Sequence, residues 1–211
     1  MKKVFFLNNR YKVKTMVITG GPCSGKTTIV GKLRKQFGNR AVFVPEAATL
    51  LLSGGFPLPG RDLVMCPEWQ DSFQATIVTV QLNMEEMYRR VARQSDIRLM
   101  VCDRGVLDGA AYTPGGIANF PFRHRLDLKK MLARYDRVIH LESLATAAPE
   151  KYGKVNNEHR GESLAQAKAL EYRTQYAWEC HPKRLILLRK HYPEDDDVFN
   201  KVAQVVQELL N

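Results

Sequence analysis

Long apolar runs are missing from this chain. No stretch approaches the roughly 20 consecutive apolar residues that a membrane-spanning helix requires. The N-terminal segment MKKVFFLNNRYKVK starts basic, but only residues 4–7 are apolar before polar residues resume. That is too short for the apolar region of a secretory signal, so a cytoplasmic protein is expected. Cysteine is scarce as well: Cys23, Cys66, Cys102 and Cys180 lie 43, 36 and 78 residues apart, which matches neither a disulfide framework nor a zinc pair. They read as reduced thiols, and the histidines and cysteines are too scattered for a metal site of their own. Internal repeats and linker-like tracts are absent. Glycine and proline, 14 and 10 of 211 residues, stay at ordinary levels, which excludes collagen-like and low-complexity classes.

Positive charge is in excess. The 32 Lys and Arg against 22 Asp and Glu give a net charge of +10. Such a balance favours anionic partners (nucleotides, nucleic acid or an acidic membrane surface) without choosing among them. Between residues 89 and 137 there are 11 basic residues against five acids, Asp96, Asp103, Asp108, Asp127 and Asp136. No nucleic-acid reading motif with interleaved aromatics accompanies them. A solvated basic face is the plainer reading, nucleic acid is not expected as a partner, and peripheral contact with an anionic membrane stays open. The length corresponds to about one domain. Residues 1–211 are expected to form it, with 1–12 as an extension and about 144–175 as a lid-like region.

Short apolar strands alternate with helical patterns, the mark of βαβ units and a parallel sheet. Strands are predicted at 13–19, 41–44, 99–102, 138–141 and 185–188. Helices are predicted at 27–37, 47–52, 68–94, about 123–134 and from 194 onward. In the long helix Phe73, Ile77, Val80, Met84 and Met87 have core spacing. Gln70, Gln74, Gln81 and Glu85, at offsets 0, 4, 11 and 15, form a polar stripe read as solvated. The fold class is α/β: a three-layer α/β/α arrangement around about five parallel strands.

The strongest motif is Gly20-Gly21-Pro22-Cys23-Ser24-Gly25-Lys26-Thr27-Thr28, which satisfies G-x-x-x-x-G-K-[ST] between a strand and a helix. Glycines let backbone amides curl around a β-phosphate, and the following helix adds its positive end. Lys26 would reach the β- and γ-phosphates, and the Thr27 hydroxyl would ligate Mg²⁺. Asp103, closing an apolar strand, is the natural second Mg²⁺-side carboxylate. The next residue is Arg104 rather than a water-activating glutamate, which favours phosphoryl transfer to an acceptor over hydrolysis. Glu46, just past the second strand, could orient an acceptor hydroxyl or simply sit at a helix N-terminus. Asp108 and Tyr112, four apart, could line an acceptor pocket or serve as a cap and a half-buried aromatic. Arg160, in the lid-like region, is the candidate transition-state cation, with Arg173 as substitute.

The segments GGPCSGKTT (20–28), PEAATLLLSGG (45–55), VCDRGVLDGAAY (101–112) and NNEHRGES (156–163), with Gln74, Gln81 and Glu85 on the long helix, resemble the AAA-type P-loop domain of NadR-like and TRPL-translocation-defect-like proteins. The resemblance implies a core similar to nucleoside and nucleotide kinases, with Mg²⁺-nucleotide, Glu46, Asp103 and Arg104 in one cleft and a lid near Arg160. No N/T-K-x-D guanine-reading motif is present, so ATP is the default and GTP stays open. Two functions compete. One is a kinase passing the γ-phosphoryl group to a small nucleoside- or nucleotide-like acceptor. The other is a nucleotide-dependent switch engaging a protein or an anionic lipid surface.

Overall fold

The computed structural model describes residues 12–152 and 163–211. Arg160 and nearly all of the segment 156–163 therefore lie outside the described residues.

In chain order the elements are β1 (Lys14–Thr19), α1 (Lys26–Phe37), β2 (Ala41–Val44), α2 (Ala47–Ser53), α3 (Pro67–Gln94), β3 (Leu99–Asp103), a 3-10 turn (Val106–Tyr112), α4 (Gly116–Arg123), α5 (Leu128–Ala133), β4 (Arg137–Leu141), α6 (Leu144–Ala147), α7 (Leu164–Ala177), β5 (Arg184–Leu187) and α8 (Asp195–Leu210). The strands form one five-stranded sheet in the order β2-β3-β1-β4-β5, and every pairing is parallel. The expected class, a parallel sheet between helical layers, is the fold found.

Side chains alternate across each strand, so the sheet feeds two cores. Met16 and Ile18 of β1, Leu99 and Val101 of β3, and Ile139 and Leu141 of β4 pack with Ile29 and Leu33 of α1 and with Val202 and Val206 of α8. On the opposite face Val17, Met100, Cys102 and Val138 meet Val78 of α3, Phe120 of α4 and Trp178 at the end of α7. Trp178 and Phe120 are fully buried. No helix among the described residues is long and apolar enough to cross a membrane.

Two expectations need correction. The basic stretch 123–134 is not one helix: α4 ends at Arg123, and α5 starts afresh at Leu128 with the Asp127 side chain accepting the Lys130 amide. The polar stripe of α3 is not solvated either. Gln74, Gln81 and Glu85 are buried, whereas Ile77, Val80 and Met84 are only half-buried and Met87 is exposed. For Gln81 and Glu85 the reason is that Glu85 has partners, whereas Gln74 Oε1 is buried without one among the described residues. The Glu85 carboxylate accepts from Gln81 Nε2 at 3.0 Å, from Arg134 Nη2 at 2.7 Å and from the Tyr135 hydroxyl at 2.7 Å. Tyr135 in turn accepts the Val106 amide at 3.0 Å. Burial and the neighbouring Glu85 raise the Tyr135 phenol well above its usual range, so it stays a donor. A satisfied buried network thus displaces hydrophobic residues from the inner face, and it pins α3 to the start of the 3-10 turn.

Removing one member of such a network strands the others. Glu85→Ala should cost about 3–5 kcal/mol of folding stability in urea titration. The double substitution Glu85→Leu with Arg134→Met should recover most of it, because no buried charge is then left unpaired. An unaltered midpoint for Glu85→Ala would show that the network carries no stability.

Candidate functional site

The loop 20–25 leaves β1 at the middle of the sheet, between β3 and β4, and hands over to α1. Its carbonyls are held by different parts of the chain. Gly20 O accepts from Lys26 Nζ at 2.8 Å and from Arg104 Nη1 at 3.3 Å. Gly21 O accepts from Lys26 Nζ at 2.9 Å. The Ser143 hydroxyl donates to Pro22 O, and the Leu144 amide donates to Cys23 O at 3.2 Å. Arg189 Nη2 reaches Ser24 O at 3.5 Å. With the carbonyls engaged in this way, the amides at the end of the loop are left for an anion.

The start of α1 is prepared in the same sense. Its N-cap, Gly25, makes no side-chain cap, and no acid occupies the first turn. By contrast α8 opens on Asp195, Asp196 and Asp197, and the α7 N-terminus is closed by Ser163 with Gln166. No acid of α1 itself therefore occupies its positive end, and Asp195, which lies near Gly25, is paired with Arg189. Gly20 has φ +145°, and a Cβ there would lie 2.3 Å from Leu141 O, so no larger residue fits this approach. Cys23 adopts φ +56°.

Lys26 is buried, and its amine folds onto the loop itself, with Ser24 Oγ as a third acceptor at 3.0 Å. Burial and the nearby Arg104 guanidinium lower its pKa to about 8, against the opposing pull of Glu46, Asp103 and Asp108. Thr27 and Thr28 are exposed in the first turn of α1.

Beside the loop stands a charged cluster. Arg104 Nε donates to Glu46 Oε1 at 2.5 Å, and Arg104 Nη1 donates to Asp108 Oδ1 at 3.1 Å. Asp108 is the hub: it also accepts from Thr19 Oγ1 at 2.5 Å, from the Gly105 amide at 2.9 Å and from the Trp178 indole at 3.1 Å. Arg104 takes φ +68°, a left-handed conformation that costs a non-glycine residue about 1–2 kcal/mol. Such strain persists where the surroundings impose it, as these four partners of Asp108 do. Asp108 and Tyr112 do not share an α-helical face, because the segment is a 3-10 turn with three residues per turn. Of the two readings of Asp108, the cap is realised, with the ion pair to Arg104 added. Glu46 is the N-cap residue of α2 but makes no cap; its carboxylate takes Arg104 and the Thr49 hydroxyl instead.

The two remaining acids differ in kind. Burial pushes the Glu46 carboxyl up, but Arg104, Lys26 and the Thr49 hydrogen bond outweigh it and hold the pKa at about 2. For Asp103, burial and the Glu46 charge dominate over Lys26 and Arg104, and its pKa rises to about 6. Asp103 has no side-chain hydrogen-bond partner among the described residues, and the β1–β3 register sets it beside Ile18, one residue before Thr19 and two before the loop. An uncommitted, electrostatically unsatisfied carboxylate at this place, with the Thr27 hydroxyl exposed at the start of α1, suits a hard cation. Mg²⁺ takes one or two protein oxygens and completes its shell with phosphates and water.

Lys26, Glu46, Asp103, Arg104 and the loop 20–28 are thus brought together. Arg173 is not. It points away from the loop, donates to Ala169 O at 3.3 Å, and lines a shallow hollow of about 500 Å³ with Tyr172, Tyr176 and Arg184. Four residues that bond to the loop escape sequence reasoning: Ser143, Leu144, Glu171 and Arg189. Each reaches it from more than 100 residues away, so no local spacing could have revealed them.

Sheet order, loop and helix define a P-loop nucleotide-binding α/β domain. Over residues 15–195 the chain matches the AAA domain family, and it belongs to that family. In the comparison with curated proteins, nothing matches.

The raised Asp103 pKa makes a prediction for the empty protein. A carboxyl whose pKa is higher folded than unfolded loses stability as pH rises from about 4 through 6, since ionisation is disfavoured only in the folded state. Asp103→Asn should therefore stabilise the nucleotide-free protein above pH 6, by at most about 3 kcal/mol, and leave it unchanged near pH 4. Thermal melts at several pH values check this; a variant that melts with the parent at pH 8 contradicts it.

Proposed function

We propose that the protein is a kinase that passes the γ-phosphoryl group of Mg²⁺-ATP, with GTP as the alternative donor, to a small nucleoside- or nucleotide-like acceptor. The observation that carries this reading is the Arg104–Glu46 pair beside the phosphate loop, set by a strained residue immediately after Asp103. Many P-loop ATPases place a water-activating glutamate immediately after that aspartate, and a guanidinium stands there instead. The resemblance to NadR-like domains supports the same reading.

The loop amides and the α1 N-terminus would bind the β-phosphate, and Lys26 would turn from its own loop to the β- and γ-oxygens. Thr27 and Asp103 would hold Mg²⁺, which when bound neutralises charge on those phosphates. Arg104 would bind an anionic or polar part of the acceptor. Glu46, ionised across the working pH range, would accept a hydrogen bond from the acceptor hydroxyl and aim its oxygen at the γ-phosphorus. The acceptor O–P bond forms, the bond from the γ-phosphorus to the β–γ bridging oxygen breaks, and the nucleoside diphosphate leaves. A carboxylate with a pKa near 2 is a weak base. It can take the hydroxyl proton only late, once bonding to phosphorus has made that proton strongly acidic. Catalysis is then positioning and electrostatics, as phosphoryl transfer generally is.

The test is nucleotide turnover with Mg²⁺, alone and with nucleosides, ribosylnicotinamide, mononucleotides and sugars. One acceptor should raise turnover about a hundredfold, equal to nearly 3 kcal/mol of barrier. Lys26→Ala should abolish the reaction, and Arg104→Ala should raise the acceptor KM about tenfold or more. Tight nucleotide binding with slow hydrolysis and no responsive acceptor would sink the kinase in favour of the switch.

A further inference from the structure

The second residue of the phosphate loop is gripped from behind. Glu171, on α7, accepts the Gly21 amide on Oε2 at 2.7 Å. Its other oxygen, Oε1, lies 2.8 Å from His140 Nε2. A carboxylate can only accept, so Nε2 carries the proton, and His140 Nδ1 is left buried without a partner. The nearby Ser143 backbone also helps to lower the pKa of this carboxylate. Both side chains are buried, Glu171 at 4% and His140 at 0% exposure.

Two features make this more than a stray buried pair. A Cβ at Gly21 would sit 2.6 Å from Glu171 Oε2, so the loop's second glycine leaves the room this contact needs. Fixing the Gly21 amide toward α7 also fixes the plane of the preceding peptide. The Gly20 carbonyl then points the opposite way, toward Lys26 and Arg104. A carboxylate brought close to an anion-binding loop carries an electrostatic cost. Its hydrogen bonds from His140 and Gly21 offset that cost and the cost of burial.

We propose that Glu171, oriented by His140, is the positioning residue of the phosphate loop: it sets the Gly20–Gly21 peptide so that the rest of the loop is already shaped for a nucleotide di- or triphosphate. This rests on the nucleotide-binding reading of residues 20–28 and is independent of the acceptor.

The experiment is titration of the full chain with a fluorescent ATP analogue and Mg²⁺ at low temperature, beside thermal melts of the empty proteins. Glu171→Ala should weaken binding tenfold or more while the protein is still folded, and Glu171→Gln, which keeps one acceptor oxygen, should recover part of that loss. Thr174→Val supplies the control from the same helix: its hydroxyl is buried and unpartnered, so affinity should hold. If Glu171→Ala does not fold, Glu171→Gln decides, with at least a threefold loss expected. Glu171 variants that melt lower yet bind within threefold of the parent overturn the proposal and leave Glu171 a core residue. A parent that binds no nucleotide overturns the nucleotide reading as well, which separates the two failures.

Discussion

A loop that binds phosphate through its amides must put its carbonyls somewhere else, and a buried carbonyl without a donor is costly. Much of this molecule can be understood from that constraint. Donors for the carbonyls of residues 20–24 come from Lys26 of α1, Arg104 after β3, Ser143 and Leu144 after β4, and Arg189 after β5. With β1 between β3 and β4, the sheet brings those donors to both sides of one loop. The strand order and the shape of the loop therefore support each other. Lys26 takes part in the same arrangement, since its amine satisfies the carbonyls of Gly20 and Gly21.

The charged cluster beside the loop follows a second rule: like charges brought close are driven apart in acidity. Glu46 and Asp103 lie in one cleft, yet the first is held near a pKa of 2 by its guanidinium partner and the second is raised to about 6. Asp108, beside them, accepts from four donors. Glu46 and Asp103 thus differ in their readiness for a proton.

The sheet was legible in the sequence because buried parallel strands are uninterrupted apolar runs, and all five were found near their true limits. The phosphate loop was legible because its backbone geometry dictates residue type at each place. Reading failed where long-range partners decide. Gln74, Gln81 and Glu85 have the spacing of a solvated stripe, and only Arg134 and Tyr135, some 50 residues on, make the interior acceptable to Glu85. The break between α4 and α5 was written locally, in the Asp127 cap, and the basic periodicity hid it. Helical spacing likewise misled for Asp108 and Tyr112, because three residues per turn rather than 3.6 governs that segment.

Helix α7 touches the site twice. Glu171 meets the phosphate loop, and Trp178, seven residues later, holds Asp108 and through it Arg104. Two turns of helix span about 10 Å, and a helix resists compression far better than a loop does. α7 thus acts as a ruler laid behind the cleft, and it fixes the interval between the phosphate end and the arginine end. Substitutions elsewhere in the fold can change what surrounds the two ends. They leave that interval as it is, so the spacing outlasts changes in its surroundings.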